Sequence, residues 1–221
     1  MSFGIMFHHF HGKKFPKMQG SISSSDFVSI IKFLKKKYNL LNSDDFMEKF
    51  YDGNLKKKDI CLTFDDCLKS QIQFALPILK KFNIKAFFFV YSSIFGKKLD
   101  KFESYRDFRS TYYKSIDNFY LDFFDLIEKK MPLESKKFKK NFNKSYLKKF
   151  SFYTVNDRKY RFYRDIILSK KKHDDLMRML MIKKNYNLLS RKKKIIMNKL
   201  DIKNVLKDDH EIGLHSHTHP I

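Results

Sequence analysis

Two adjacent carboxylates, Asp65 and Asp66, follow the apolar run Asp59-Ile60-Cys61-Leu62-Thr63-Phe64, and three histidines at alternate positions, His215, His217 and His219, stand near the end of the chain. Carboxylate and imidazole are donors of an open catalytic zinc centre, which takes three protein ligands and leaves a position for water. Neighbouring residues at a strand end point in different directions, so one aspartate can bind an ion while the other faces a bound water. His215 and His219, four apart and followed by Pro220, converge if the chain turns after His215. Asp66, His215 and His219 are then expected to hold a divalent metal, with Zn2+ the expected ion, and Asp65 to accept a proton from the attacking water. Each part also has a structural reading. An Asp pair after a strand is commonly a turn or helix cap, and a terminal histidine cluster can be a solvated tail. His215-Ser216-His217 also matches the His-x-His of other metallohydrolases, where the pair opens the domain.

Groups so far apart in sequence meet only if their strands end together, as in parallel α/β folds. Gly4–His9 and Ile84–Tyr91 read as short buried strands, and Asp59–Phe64 as a buried parallel strand ending in the acids. A helix over Ser70–Phe82, with Pro77 as a kink or boundary, links the last two into a βαβ unit. Ser24 or Ser25 is expected to cap a helix carrying Phe27, Ile30, Ile31 and Leu34, and Asp44–Phe50 reads as another helix. From Gly96 to Lys207 the chain is Lys-rich, aromatic-rich and mainly helical. Ser115 there caps a face of Ile116, Phe119, Tyr120, Phe123 and Ile127, and similar patterns cover Asp174–Ile182 and Ile195–Leu206. Glu211–His215 reads as a further strand delivering ligands from its C-terminal end.

At 221 residues the chain is long enough for one sizeable core or for a domain with a large insertion. A net charge of +23 suggests a polyanionic partner. Lys, Phe, Ile, Asn and Tyr are all abundant, however, Trp is absent, and Ala75 and Ala86 are the only alanines. That joint bias looks like AT-rich coding, and the basic residues are spread along the chain, so no specific nucleic-acid partner is expected. Alternating basic and aromatic residues read as an amphipathic helical surface with solvated lysines rather than a base-stacking platform. Cys61 and Cys67 fit no zinc-ribbon spacing and make no disulfide framework. No secretory signal opens the chain and no apolar stretch is long enough for a membrane span, so a cytoplasmic protein is expected.

Thr63-Phe64-Asp65-Asp66, then Ala75-Leu76-Pro77-Ile78-Leu79 and Ile84-Lys85-Ala86-Phe87-Phe88-Phe89-Val90, resembles the polysaccharide deacetylases, the nodulation-protein-B-like carbohydrate esterase family 4. His210-Glu211-Ile212-Gly213-Leu214-His215-Ser216-His217-Thr218-His219-Pro220 is similar to that family's second motif, and Met6-Phe7-His8-His9 to its first strand. The resemblance implies Asp65 as catalytic base and Asp66, His215 and His219 as metal ligands, with His217 at a variable position. It implies an α/β fold, part of a distorted (β/α) barrel with a long helical insertion, and removal of N-acetyl groups from an amino sugar or glycan precursor. Residues 1–95 then form the N-terminal part of the deacetylase-like domain, 96–207 the insertion and 208–221 the second metal-binding motif.

Cys67 departs from the glycine usual after the aspartates. The sequence also reads as truncated after the second motif, without the family's later motifs, so poor or absent turnover by this chain alone is expected. The alternative is a non-catalytic basic remnant that binds an anionic polymer or a partner chain.

Overall fold

A computed structural model of the chain describes residues 2–95 and 101–217. The chain forms two compact units: one gathers the residues up to Ser104 and those from Leu189 onward, and the other is Tyr105–Leu188.

The first unit is α/β. Strand β1 (Phe3–Phe7) leads to helix α1 (Ser24–Lys37), strand β2 (Asn39–Leu40) and helix α2 (Ser43–Tyr51). Strand β3 (Asp59–Phe64) follows, then a π-helical turn (Gln71–Ala75) running into α3 (Leu76–Lys81), and strand β4 (Phe87–Val90). Every pairing among these strands is parallel. β1 lies along β3 from Phe3↔Ile60 to Phe7↔Phe64. β2 pairs with the start of β3 at Asp59 and Ile60, and β4 with its end at Thr63 and Phe64.

The second unit is helical. It takes in most of α4 (Phe102–Thr111), then α5 (Ile116–Lys130), α6 (Pro132–Asn141), α7 (Val155–Phe162) and α8 (Lys170–Lys183). Ser115 caps α5 through a bond from the Asn118 amide, and Phe119, Tyr120, Phe123 and Ile127 are buried as their spacing predicts. Its buried tyrosines pair with polar partners: Tyr105 donates to Asp174 at 2.7 Å, Tyr186 to Asp107 at 2.9 Å, and Tyr120 to Asp157. The chain then returns through α9 (Leu188–Ile195) and α10 (Lys199–Lys207) to β5 (Glu211–Leu214), which pairs with β4 from Phe87↔Glu211 to Val90↔Leu214. Among the described residues no helix is long and apolar enough to cross a membrane.

The sheet core is a row of rings. Phe7, Phe64 and Phe88 are register partners on β1, β3 and β4, with centroids 5.6 Å apart for the first pair and 4.7 Å for the second. Phe27 of α1 meets Phe7 edge-on at 5.0 Å. Phe7 and Phe64 are the last residues of β1 and β3, so an apolar floor underlies the polar residues that follow.

Several boundaries differ from the sequence reading, each for a local reason. The cap of α1 is Ser23, not Ser24 or Ser25, because Ser23 forms a reciprocal capping box with Asp26. The strand read over Ile84–Tyr91 begins at Phe87. The Lys85 amide is taken by the Asn42 side chain and the Ala86 amide by His210 Nδ1, so neither donates to the ladder. The helix read over Ser70–Phe82 opens as a π turn, since Pro77 has no N–H to continue an α-helical register. The single helix read over Ile195–Leu206 is broken. Ile196 bridges to Leu68 and the Met197 amide donates to the Cys67 carbonyl at 2.9 Å, after which Asn198 starts α10 with its own capping box.

Candidate active site

Parallel strands end on one edge of the sheet, and the polar residues of both sequence motifs lie there. β1 runs into His8 and His9, β3 into Asp65 and Asp66, β4 into Tyr91 and Ser92, and β5 into His215. The β1–β3 ladder extends one step beyond the strands through the Asp65 amide, which donates to the Phe7 carbonyl at 3.0 Å. The β4–β5 ladder ends likewise with the His215 amide on the Val90 carbonyl at 2.8 Å.

Asp66 is the centre of the arrangement. Its side chain is 4% exposed, with Oδ1 3.9 Å from His215 Nε2 and Oδ2 3.7 Å from His8 Nε2. Asp65 is also buried. The backbone turns sharply here: Asp66 and Cys67 both take left-handed φ values, 73° and 56°, which cost a side-chain-bearing residue about 1–2 kcal/mol each. This is the turn that carries Cys67 in place of glycine. The Cys67 thiol is pushed up to about 12 by burial, with Asp201 and Asp66 adding to the shift, so it stays protonated and is a poor metal ligand.

His217 is directed elsewhere: its Nδ1 lies 2.9 Å from Ser92 Oγ, and its carbonyl accepts the Ser93 amide at 3.0 Å. His210 is buried against β4, and burial lowers its pKa. His219, the third expected ligand, lies outside the described residues.

Among the described residues, no group of three or more His, Cys, Asp and Glu side chains is gathered to hold a metal ion. The two expected ligands that are described are of the right donor types for one. Their separation of 3.9 Å is a few tenths of an ångström wider than the roughly 3.3 Å between an imidazole nitrogen and a carboxylate oxygen on a tetrahedral zinc.

Four residues at or against this edge have no role in the sequence reading. His8 meets Asp66, and parallel pairing of the first two long strands is the signal that would have found it. His9 Nε2 lies 2.7 Å from Glu103 Oε2, both side chains buried; Glu103 stands alone on a helical segment and gave no signal. Gln71 is wholly buried beneath the Asp65–Asp66 turn.

Comparison with known proteins agrees with the motif reading. Residues 52–110 match the family model described as polysaccharide deacetylase. No curated protein matches it. Among solved structures it is similar to a de-N-acetylase from Aggregatibacter actinomycetemcomitans, at 23% identity over 44% of this chain and 40% of that one, TM-score 0.37. IcaB from Ammonifex degensii is 25% identical over 45% and 42% of the two chains, TM-score 0.37. The Streptococcus pyogenes deacetylase PplD, solved with acetate, is 23% identical over 48% and 51%, TM-score 0.35. The matched region thus spans about half or less of each of these structures.

Proposed function

We propose that this chain carries the metal-binding half of a carbohydrate N-deacetylase site, hydrolysing the N-acetyl group of an amino sugar or glycan to acetate and a free amine. The observation that carries the reading is the approach of His215 to Asp66, because it joins the two motifs that define the resemblance. Asp66, His215 and His219 would hold a divalent ion, Zn2+ in this reading. When bound, the ion polarises the acetyl carbonyl and acidifies a water. Asp65, next to Asp66 at the strand end, serves as the base that takes the proton from that water. The two carboxylates are buried over the ring floor, while His215 is 38% exposed. A deacetylase family segment makes an N-acetylated sugar the natural substrate class.

The test is acetate release from an N-acetylglucosamine oligomer in the presence of zinc. Slow release that a chelator stops, and that Asp65→Asn lowers by about 10²- to 10⁴-fold, is expected. Release that a chelator leaves unchanged, or equal release by the variant, contradicts the reading.

A further inference from the structure

We propose that Gln71 is the positioning residue of this site, a buried carboxamide that fixes the Asp65–Asp66 turn against the end of β1. The proposal rests on the functional reading above only for what the turn holds.

A carboxamide has two donor hydrogens and an acceptor oxygen, and at Gln71 both ends are used. Nε2 donates to the Asp65 carbonyl at 2.5 Å and to the His8 carbonyl at 3.0 Å. Oε1 accepts the Leu68 amide at 3.3 Å. The β1–β3 backbone ladder makes its last bond at Asp65 N–H to Phe7 C=O. The next carbonyl on each strand, that of His8 and that of Asp65, is then bridged by this one side chain. Gln71 therefore continues the ladder past the strand ends, where His8 and Asp66 meet.

The same side chain spans the turn itself, from the carbonyl of Asp65 to the amide of Leu68. Between them sit Asp66 and Cys67 in left-handed conformations, which side-chain-bearing residues hold only when their surroundings impose them. The Met197 amide on the Cys67 carbonyl supplies a second tether. The π turn that opens at Gln71 places the carboxamide under the turn, and Gln71 is 0% exposed. Methionine has a similar length and volume but no donor. Glutamate keeps the acceptor while turning a carboxylate onto two carbonyl oxygens.

The test compares wild type, Gln71→Met and Gln71→Glu, with Val205→Ala as a control for lost core packing alone. Amide hydrogen exchange and cobalt(II) titration followed by visible absorption are the readouts. Gln71→Met is expected to speed exchange at Asp65 and Leu68 by about tenfold, the worth of one hydrogen bond, and Gln71→Glu to do so at Asp65, while amides of β4 and β5 keep wild-type rates. Both Gln71 variants are also expected to weaken cobalt binding by about 10- to 100-fold, and Val205→Ala to leave cobalt affinity unchanged. Wild-type exchange in Gln71→Met overturns the proposal, and so does unchanged cobalt affinity once exchange has quickened. A wild type that binds no cobalt overturns the metal reading alone, and the exchange comparison then decides for or against the clamp.

Discussion

Asp66 Oδ1 and His215 Nε2 stand 3.9 Å apart, although the helical unit Tyr105–Leu188 separates them in sequence. The sheet makes this possible. β3 and β5 flank β4 in parallel, so their C-terminal ends fall on one edge whatever length of chain lies between them.

The floor under that edge is a stability determinant. Phe64 is fully buried and stacks on Phe88 while contacting Phe7, Phe10 and Phe27. Phe64→Ala is expected to cost about 3–5 kcal/mol, read as a fall in the urea midpoint. A loss below about 1 kcal/mol contradicts the packing described.

Cys67 reverses an ordinary preference. In most backbone conformations glycine is less stable than alanine by up to about 1 kcal/mol. At φ 56° alanine keeps the left-handed strain and glycine removes it, while both lose the buried thiol. Cys67→Gly is expected to be at least as stable as Cys67→Ala. Thermal melts of the two variants check this, and a clearly more stable alanine variant contradicts it.

His173 predicts a pH dependence. It is buried with Nε2 3.0 Å from the Tyr160 hydroxyl, and burial first, then the nearby Arg164 and Arg109, lowers its pKa to about 4, against the opposing pull of Asp174 and Asp165. The folded state therefore binds fewer protons than the unfolded state between these values. Its stabilisation is complete above about pH 6.5, the unfolded value, is lost as pH falls, and is gone below about pH 4. The whole loss is about 3 kcal/mol at 1.36 kcal/mol per unit. Urea midpoints at pH 7 and pH 4.5 measure it, and His173→Gln is expected to flatten the difference. An equal slope in that variant contradicts the assignment.

The sequence revealed the strands that carry the motifs more clearly than the contacts that hold them. β3 has the bounds Asp59–Phe64 because an uninterrupted apolar run stops at two acids. β2 escaped notice because it pairs through only Asn39 and Leu40. Ile84–Ala86 look like strand, yet Asn42 and His210, distant in sequence, take the amides of Lys85 and Ala86. Asp66 and His215 carried their own signal through the motifs. His8 and Gln71 did not, since their parts depend on which strand ends lie side by side. The break at Ile196 and Met197 likewise follows from a partner, the Cys67 turn, that helical periodicity does not show.

The most direct test of the account is zinc stoichiometry and affinity for the purified chain, beside Asp66→Ala and His215→Ala. One tight site in the wild type, lost in both variants, is the predicted result. Absence of a specific site, or a site that either substitution leaves intact, would contradict the claim that the two motifs meet to bind a metal.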